Sequence, residues 1–193
     1  MAEVIPRWEW RTWGEDLALD IDFKDYEHTR HVESSEVYVL STECDENTKA
    51  RENEMGIKSL QLVNDDKLEQ WNSVKKAAFP LPREELIELY KVFNISSPEF
   101  EKDSFTFDEF IDLAEKDEKL LVFYVDKIRD LYDVDGCIVE YATVKVEGRL
   151  FKTVAAELPD PEKVKQTVRK MGLWGKENIN YVKALKRIRM GQL

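Results

Sequence analysis

Charged side chains occupy every second position in several segments whose intervening residues are apolar. Near the start of the chain, Arg7, Glu9 and Arg11 alternate with Trp8 and Trp10. Successive side chains of a β-strand point to opposite faces, so this period of two places three charges on one face and two indoles on the other. The segment therefore predicts a strand with one charged face and one apolar face.

Basic pairs with the same spacing recur in strand-like segments that are far apart in the sequence. Lys49 and Arg51 form one pair, and Lys127 and Arg129 form another. A half-exposed sheet would show this alternation in any single strand, so that interpretation stays open. The recurrence favours strands that close into a barrel and line its interior with Arg and Lys. Such an interior suits a chain of phosphates, because Arg offers paired planar donors and Lys a mobile point charge.

Three carboxylates fall among these basic positions. Glu9, Glu140 and Glu157 would be repelled from an anion if they acted alone. Mg²⁺ and Mn²⁺ are hard cations that bind carboxylate and phosphate oxygens together. The three residues are therefore predicted metal ligands, and Mg²⁺ or Mn²⁺ is the predicted cofactor.

Further alternating segments predict the remaining strands. They cover the ranges 36–42, 47–52, 56–63, 120–132, 137–146 and 149–158. Residues 68–77 fit either a strand or a helix, and residues 14–35 are predicted to be a long charged connection with room for one helical turn. The tryptophans are all predicted core residues: Trp8, Trp10, Trp13, Trp71 and Trp174.

Apolar stripes at helical spacing predict the helices. These cover approximately the ranges 83–93, 104–115, 162–171 and 181–188. The first two form a predicted helical insertion at about 80–118, which begins at a proline-rich break. The whole chain, 1–193, is predicted to form a single α+β domain, as its length allows.

The net charge limits the partners that the chain can have. Acidic residues number 40 and basic residues 29, which gives a net charge of −11. General nucleic-acid binding needs a basic footprint, so no nucleic-acid partner is predicted. A local basic pocket for a small anionic ligand remains compatible with this charge. The oligomeric state is left open.

The absence of sorting signals in the sequence predicts a cytoplasmic protein. No run of about 18 apolar residues occurs, so no membrane association is predicted. The first residues lack the basic and apolar regions of a signal peptide. Cys44 and Cys137 are therefore expected to remain reduced.

Other motifs that indicate chemistry are weak or missing. The sequence has no Gly-rich phosphate loop, no Cys-x-x-Cys and no Gly-x-Ser-x-Gly. His28 and His31 have a spacing that can bind metal. Since no Cys and no third His lie nearby, the pair is predicted to consist of solvated loop side chains.

The order of the predicted elements resembles the CYTH superfamily of triphosphate tunnel enzymes, which includes thiamine triphosphatase, class IV adenylyl cyclase and inorganic triphosphatases. The resemblance extends over about residues 7–185. It depends on the order and spacing of short matches at 36–38, 47–51, 56–58, 127–129, 136–140 and 153–158.

The resemblance implies a closed or nearly closed antiparallel β-barrel of about eight strands, with helices packed outside it. It implies a metal-assisted phosphohydrolase, an enzyme whose partner is an organic or inorganic triphosphate or polyphosphate. Glu9, Arg11 and Arg129 are the expected catalytic residues. The expected phosphate-binding residues are Arg7, Lys49, Arg51, Lys58, Lys127 and Arg129.

Three positions depart from the family pattern. The family begins with Glu-x-Glu-x-Lys, and here Arg7 stands at the first Glu and Arg11 at the Lys. The late Glu-x-Glu is reduced to Glu157, because Ala155 stands at the other position. Losing two carboxylates would weaken metal binding more than phosphate binding. The alternative is therefore a phosphate-binding module with the same tunnel and weak or no catalysis.

Overall fold

The computed structural model describes residues 6–51 and 53–193. Over this part of the chain the long strands are β1 Trp8–Gly14, β2 Glu27–Ser41, β3 Asn47–Arg51, β4 Glu54–Val63, β5 Glu69–Ala78, β8 Leu120–Val134, β9 Cys137–Val146 and β10 Arg149–Leu158. Two further strands are short, β6 Leu81–Pro82 and β7 Ser104–Phe105, and they pair with each other. The helices are α1 Arg83–Val92, α2 Phe107–Lys116, α3 Pro161–Lys170 and α4 Tyr181–Arg189.

The eight long strands of the described chain close into an antiparallel barrel. Their order is β1-β10-β9-β8-β2-β3-β4-β5. Strand β1 pairs with β10 on one side, which places Glu9 opposite Glu157, and with β5 on the other, which places Glu9 opposite Glu69. The predicted α+β class and the antiparallel barrel are thus confirmed. No described helix combines the length and the apolar composition that a membrane crossing requires.

Strand β8 shows that its charged face is the buried one. Lys127 is only 3% exposed, whereas the adjacent Ile128 is 47% exposed. A half-exposed sheet would bury the isoleucine and hydrate the lysine. The interpretation of β8 as part of a half-exposed sheet is therefore wrong. The alternation of charged and apolar residues in this strand indicates that the basic side chain of Lys127 points to the interior.

The described residues divide into two compact units. The first comprises those within Met1–Ser35, Leu60–Asn72 and Val125–Leu193, and the second those within Glu36–Ser59 and Ser73–Tyr124. In the first unit, Val164 and Val168 of α3 pack in a core with Trp10 and Val154. Gly172 follows this helix with a φ of 74°, a conformation that favours glycine, and so ends it as predicted.

The core of the second unit joins α1 and α2 to strand residues. Leu86 of α1 and Phe110 of α2 belong to the same buried cluster as Val39 and Ile57. The Thr106 hydroxyl accepts a hydrogen bond from the Glu109 backbone N–H, while the Glu109 carboxylate accepts one from Thr106. This capping box fixes the start of α2.

Most element predictions are confirmed, and two need correction. Strand β2 begins at Glu27, so the predicted connection over 14–35 is wrong in its last part, although its single helical turn exists at Phe23–Asp25. Helix α2 starts three residues later than predicted, because Ser104 and Phe105 form β7. Residues 68–77 resolve as strand β5. The predicted strand 47–52 ends at Arg51, and Glu52 lies outside the described residues.

A further correction concerns the tryptophans. Trp10 and Trp13 are buried, whereas Trp8 and Trp71 are only half-buried. Trp174 is exposed, and the Arg169 guanidinium lies 4.6 Å from its ring centroid. A cation can cover an aromatic face and so replace core packing at this position.

The two leucines Leu86 and Leu150 provide a test of the packing. Leu86 is fully buried, so Leu86→Ala should lower the free energy of unfolding by about 2–5 kcal/mol. Leu150 is 62% exposed, and the matched Leu150→Ala should change the free energy by no more than about 0.5 kcal/mol. Urea unfolding followed by circular dichroism measures both. Equal effects of the two substitutions would contradict this assignment of the core.

Candidate functional site

A buried arginine organises the charged residues of the first unit. Arg11 is 6% exposed. Its Nε donates to Glu9 Oε1 at 2.9 Å, and its Nη1 donates to Glu140 Oε1 at 2.9 Å and to Thr153 Oγ1 at 3.3 Å. These contacts join strands β1, β9 and β10. We call Arg7, Glu9, Arg11, Arg129, Glu140 and Glu157 the carboxylate–arginine cluster.

Burial and ion pairing act in opposite directions on this cluster. Burial disfavours the charged Arg11, but Glu140 and Glu9 outweigh it and hold the pKa of Arg11 well above its usual value. Burial also disfavours charged Glu140, but Arg11 and Arg129 lower the pKa of that carboxyl. Both groups are therefore ionised at neutral pH. The stability that Glu140 contributes is present above its unfolded-state pKa and is lost as the pH falls through the lowered native value.

Arg129 has a donor that the protein does not use. Its Nη1 forms an ion pair with Glu140 Oε2 at 3.6 Å, a distance longer than that of a hydrogen bond. Its Nε is buried and has no hydrogen-bond partner among the described residues. Buried N–H groups are nearly always paired, so a donor in this state is suited to a ligand acceptor.

Glu157 lies in a different electrostatic setting from Glu140. It accepts a hydrogen bond from Arg7 Nη1 at 3.0 Å, and both side chains are partly exposed. Burial and the nearby charge of Glu9 raise the pKa of Glu157, and Arg7 and Arg11 only partly offset this. Arg7 thus neutralises Glu157, while Arg11 is the partner of Glu9.

Helix α4 supplies an aromatic ring to the same region. Lys127 Nζ lies 3.8 Å from the centroid of the Tyr181 ring, and the Arg11 guanidinium carbon lies 4.8 Å from it. The buried Glu69 accepts hydrogen bonds from Asn180 Nδ2 and from Lys183 Nζ at 2.9 Å. The ring and these bonds hold the start of α4 against the cluster.

The second unit has a separate basic pocket. Its volume is about 350 Å³, and the side chains that line it are Asn47, Lys49, Arg51, Glu54, Ile57, Lys58, Ser73 and Lys76 with Gly56. Alternating positions of β3 and β4 supply most of them, as the period of two predicts. We call this cavity the basic pocket.

A buried carboxylate orients two cations of the basic pocket. The Glu36 side chain is fully buried. Lys49 Nζ lies 3.3 Å from its oxygens, and Arg51 Nη1 lies 3.9 Å from Oε1. The Tyr38 hydroxyl also donates to Glu36 at 3.1 Å. The residues that line the pocket include four basic side chains, Lys49, Arg51, Lys58 and Lys76, and one acidic side chain, Glu54.

The predicted site residues therefore fall into two groups. The carboxylate–arginine cluster brings together six of them, and Lys127 joins it through Tyr181. The basic pocket brings together Lys49, Arg51 and Lys58. The sequence reasoning missed Glu36, Glu69, Lys76, Thr153 and Tyr181. Glu36 lies two residues before Tyr38 on an alternating strand, a signal that could have indicated it.

Fold and site together define an antiparallel β-barrel protein with buried arginine–carboxylate pairs and a basic pocket. No protein-family profile and no curated protein matches the chain. A Hippeastrum protein, described as a suggested adenylyl cyclase with a dominant triphosphatase activity, is 11% identical over 97% of each chain, with a TM-score of 0.49. A Pyrococcus horikoshii protein is 16% identical over 92% of this chain and 98% of its own, with a TM-score of 0.45.

A third solved structure is similar over a shorter range. It is a Bacillus halodurans protein for which adenylate cyclase activity has been suggested. The identity is 11% over 80% of this chain and 82% of that chain, with a TM-score of 0.42. The fold class given above rests on the strand pairing of the chain itself.

Glu140 and Glu157 provide a test of the electrostatics. Glu140→Gln leaves Arg11 buried with less compensating charge, so it should lower the free energy of unfolding by about 3 kcal/mol. The same substitution at the more exposed Glu157 should change it by no more than about 1 kcal/mol. Urea unfolding at neutral pH in EDTA measures both without a contribution from metal. A smaller loss at Glu140 than at Glu157 would contradict the central role of Arg11.

Proposed function

We propose that the protein binds the phosphate chain of a small-molecule triphosphate and hydrolyses it with the help of a divalent cation. The observation that supports this most is the basic pocket, where Lys49, Arg51, Lys58 and Lys76 line one cavity. Arg and Lys are the side chains that recognise phosphate oxygens. A volume of about 350 Å³ lies within the range of small-molecule sites.

The carboxylate–arginine cluster supports a metal at only some of the predicted positions. Glu9 and Glu157 are cross-strand neighbours, and the raised pKa of Glu157 means that the pair gains from added positive charge. Carboxylate oxygens are ligands that Mg²⁺ and Mn²⁺ prefer. Glu140 fits less well, because its two oxygens already face Arg11 and Arg129. Glu9 and Glu157 are therefore the residues that would hold the cation.

Each group of residues has a distinct role in the proposed reaction. Lys49, Arg51 and Lys58 hold and orient phosphates. Arg129, whose side chain is 19% exposed, would offer its guanidinium to charge that develops on the transferred phosphoryl group. A bound cation would withdraw charge from phosphate oxygens. Arg11 acts as a positioning residue, since its hydrogen bonds hold Glu9 in place.

A second candidate function is phosphate-ligand binding without turnover. Arg7 and Arg11 each donate to one of the carboxylates that would hold the cation. A guanidinium at this place supplies positive charge that a metal would otherwise provide. The family pattern has carboxylates at the positions of Arg7 and Ala155, and their loss favours this alternative because fewer ligands remain for a metal.

The first prediction from this proposal concerns binding and turnover. Tripolyphosphate should raise the thermal midpoint of the protein, because a ligand that binds only the native state stabilises it. Arg51→Ala and Arg129→Ala should each remove about 1.5–3 kcal/mol of binding free energy, the range for hydrogen bonds to charged groups. Calorimetric titration gives the affinities. Phosphate release from tripolyphosphate, thiamine triphosphate and nucleoside triphosphates with Mg²⁺ or Mn²⁺ gives the activity.

Arg83→Ala is the matched control, because Arg83 pairs with Asp103 at the surface of the second unit. It should leave tripolyphosphate binding unchanged. Binding without turnover on any of the three substrates would select the second candidate function. Normal binding by both Arg51→Ala and Arg129→Ala would reject the phosphate site itself.

The last prediction of this subsection concerns Arg7. Arg7→Glu would place a third carboxylate beside Glu9 and Glu157, so ligand binding should become dependent on Mg²⁺. Titrations with tripolyphosphate in Mg²⁺ and in EDTA measure the change, and Arg7→Gln separates loss of the arginine from gain of the acid. Wild-type binding that already vanishes in EDTA would show that Arg7 does not substitute for a metal.

A further inference from the structure

Two histidines and an aspartate converge at the surface of the first unit. His28 Nε2 lies 3.0 Å from Asp130 Oδ1, and His31 Nδ1 lies 2.7 Å from the same oxygen. One possible ligand atom from each of the three residues lies within 4.8 Å of the others. They belong to the neighbouring strands β2 and β8. None of them is part of the carboxylate–arginine cluster or of the basic pocket.

His28 and His31 lie in the exposed first part of β2, three residues apart. Side chains three residues apart on a regular strand point to opposite faces. Both imidazoles nevertheless reach the same oxygen of Asp130, one through His28 Nε2 and the other through His31 Nδ1. The predicted loop position of the pair is wrong, because both residues belong to strand β2, whereas both side chains are exposed as predicted.

The spacing of the three atoms suits a transition-metal ion. Imidazole nitrogens and carboxylate oxygens bind Zn²⁺ at about 2.0–2.2 Å in a tetrahedral arrangement, so two ligand atoms lie about 3.4 Å apart. Asp130 Oδ1 lies 3.0 Å from His28 Nε2 and 2.7 Å from His31 Nδ1, so an ion would require these exposed side chains to move apart by about 0.4–0.7 Å. Imidazole favours Zn²⁺, Cu²⁺ and Ni²⁺ over Mg²⁺, which prefers oxygen ligands. All three side chains are partly exposed, so water can fill the remaining coordination positions.

The carboxylate of Glu33 lies next to the ring nitrogen of His31 that would not bind the metal. His31 Nε2, the ring nitrogen that faces away from Asp130, lies 3.4 Å from Glu33 Oε1. Metal-binding histidines almost always donate their other N–H to a carboxylate, a carbonyl or water, which fixes the tautomer and makes the ligand nitrogen more basic. Glu33 would hold the Nε2 proton and leave Nδ1 for the ion.

We propose that His28, His31 and Asp130 bind one divalent transition-metal ion, with Zn²⁺ as the representative ion, and that Glu33 orients His31. The site is separate in residues and in chemistry from the proposed triphosphate function, so either can fail without the other. The competing explanation is a cluster of ion pairs in which protonated histidines bind Asp130 without metal.

The test is a calorimetric titration of the tag-free full chain with Zn²⁺ at neutral pH in excess Mg²⁺. Wild type should bind one Zn²⁺ ion that Mg²⁺ does not displace. His28→Ala, His31→Ala and Asp130→Asn should each weaken binding by at least about 10–100-fold, the loss typical when even an outer partner of a metal ligand is removed. Glu33→Gln should weaken binding less than loss of a ligand does.

Two controls separate this site from other zinc ligands. Asp126→Asn changes a carboxylate on the same strand that accepts from Ser35, and it should leave Zn²⁺ affinity unchanged. Cys44→Ser should also leave it unchanged, although a thiol is a strong zinc ligand. Circular dichroism establishes that each variant is folded. Undiminished binding in both histidine variants, loss of binding in Cys44→Ser, or no binding by wild type would each overturn the proposal, and the last would leave an ion-pair cluster only.

Discussion

The buried ion pairs of Arg11 are the interaction on which the charged interior of the first unit depends. A guanidinium in this environment is stable only where carboxylates compensate its charge, and Glu9 and Glu140 provide them from two different strands. Removing either acid would leave a charge buried without full compensation. The same bonds therefore align β1 with β9 and set the positions of the carboxylates. Arg11, Glu9 and Glu140 are therefore both structural residues and candidate site residues.

The acids of the first unit illustrate how environment gives one residue type several roles. Glu140 faces two arginines and stays ionised. Glu157 lies opposite Glu9 and holds its proton more tightly than an isolated glutamate does. Glu69 anchors the start of α4 through Asn180 and Lys183. Of these, the Glu9–Glu157 pair is the place where a cation would relieve the most repulsion.

Local sequence patterns predicted most of the fold, because a period of two or of 3.6 records which face of an element is buried. The barrel strands other than β5, for which the pattern also fitted a helix, and the helices α1, α3 and α4 followed from these patterns. The first part of β2 did not, since its residues are polar and exposed on both sides and thus have no apolar period. The prediction for Trp174 was wrong because tryptophan is usually a core residue, whereas here the ring of Trp174 packs against the Arg169 guanidinium.

The candidate site was less accessible to sequence reasoning than the fold. Lys49 and Arg51 could be predicted as site residues because they lie two positions apart in one strand, and this spacing is visible in the sequence. The contacts of Tyr181 with Lys127 and of Glu36 with its two cations depend on strand pairing and helix docking, and no local period records these. The contacts of His28 and His31 with Asp130 likewise depend on the position of β8 beside β2, which the spacing of the two histidines does not predict.

The inverted burial of β8 changes how substitutions in this protein should be interpreted. Conservation of hydrophobic character usually marks the residues that a fold cannot lose. Here the isoleucine at 128 faces solvent and the lysine at 127 is enclosed. A change from isoleucine to lysine would be conservative on this strand, while a change from lysine to isoleucine would be severe. Substitution scales based on average proteins would rank these two changes in the wrong order.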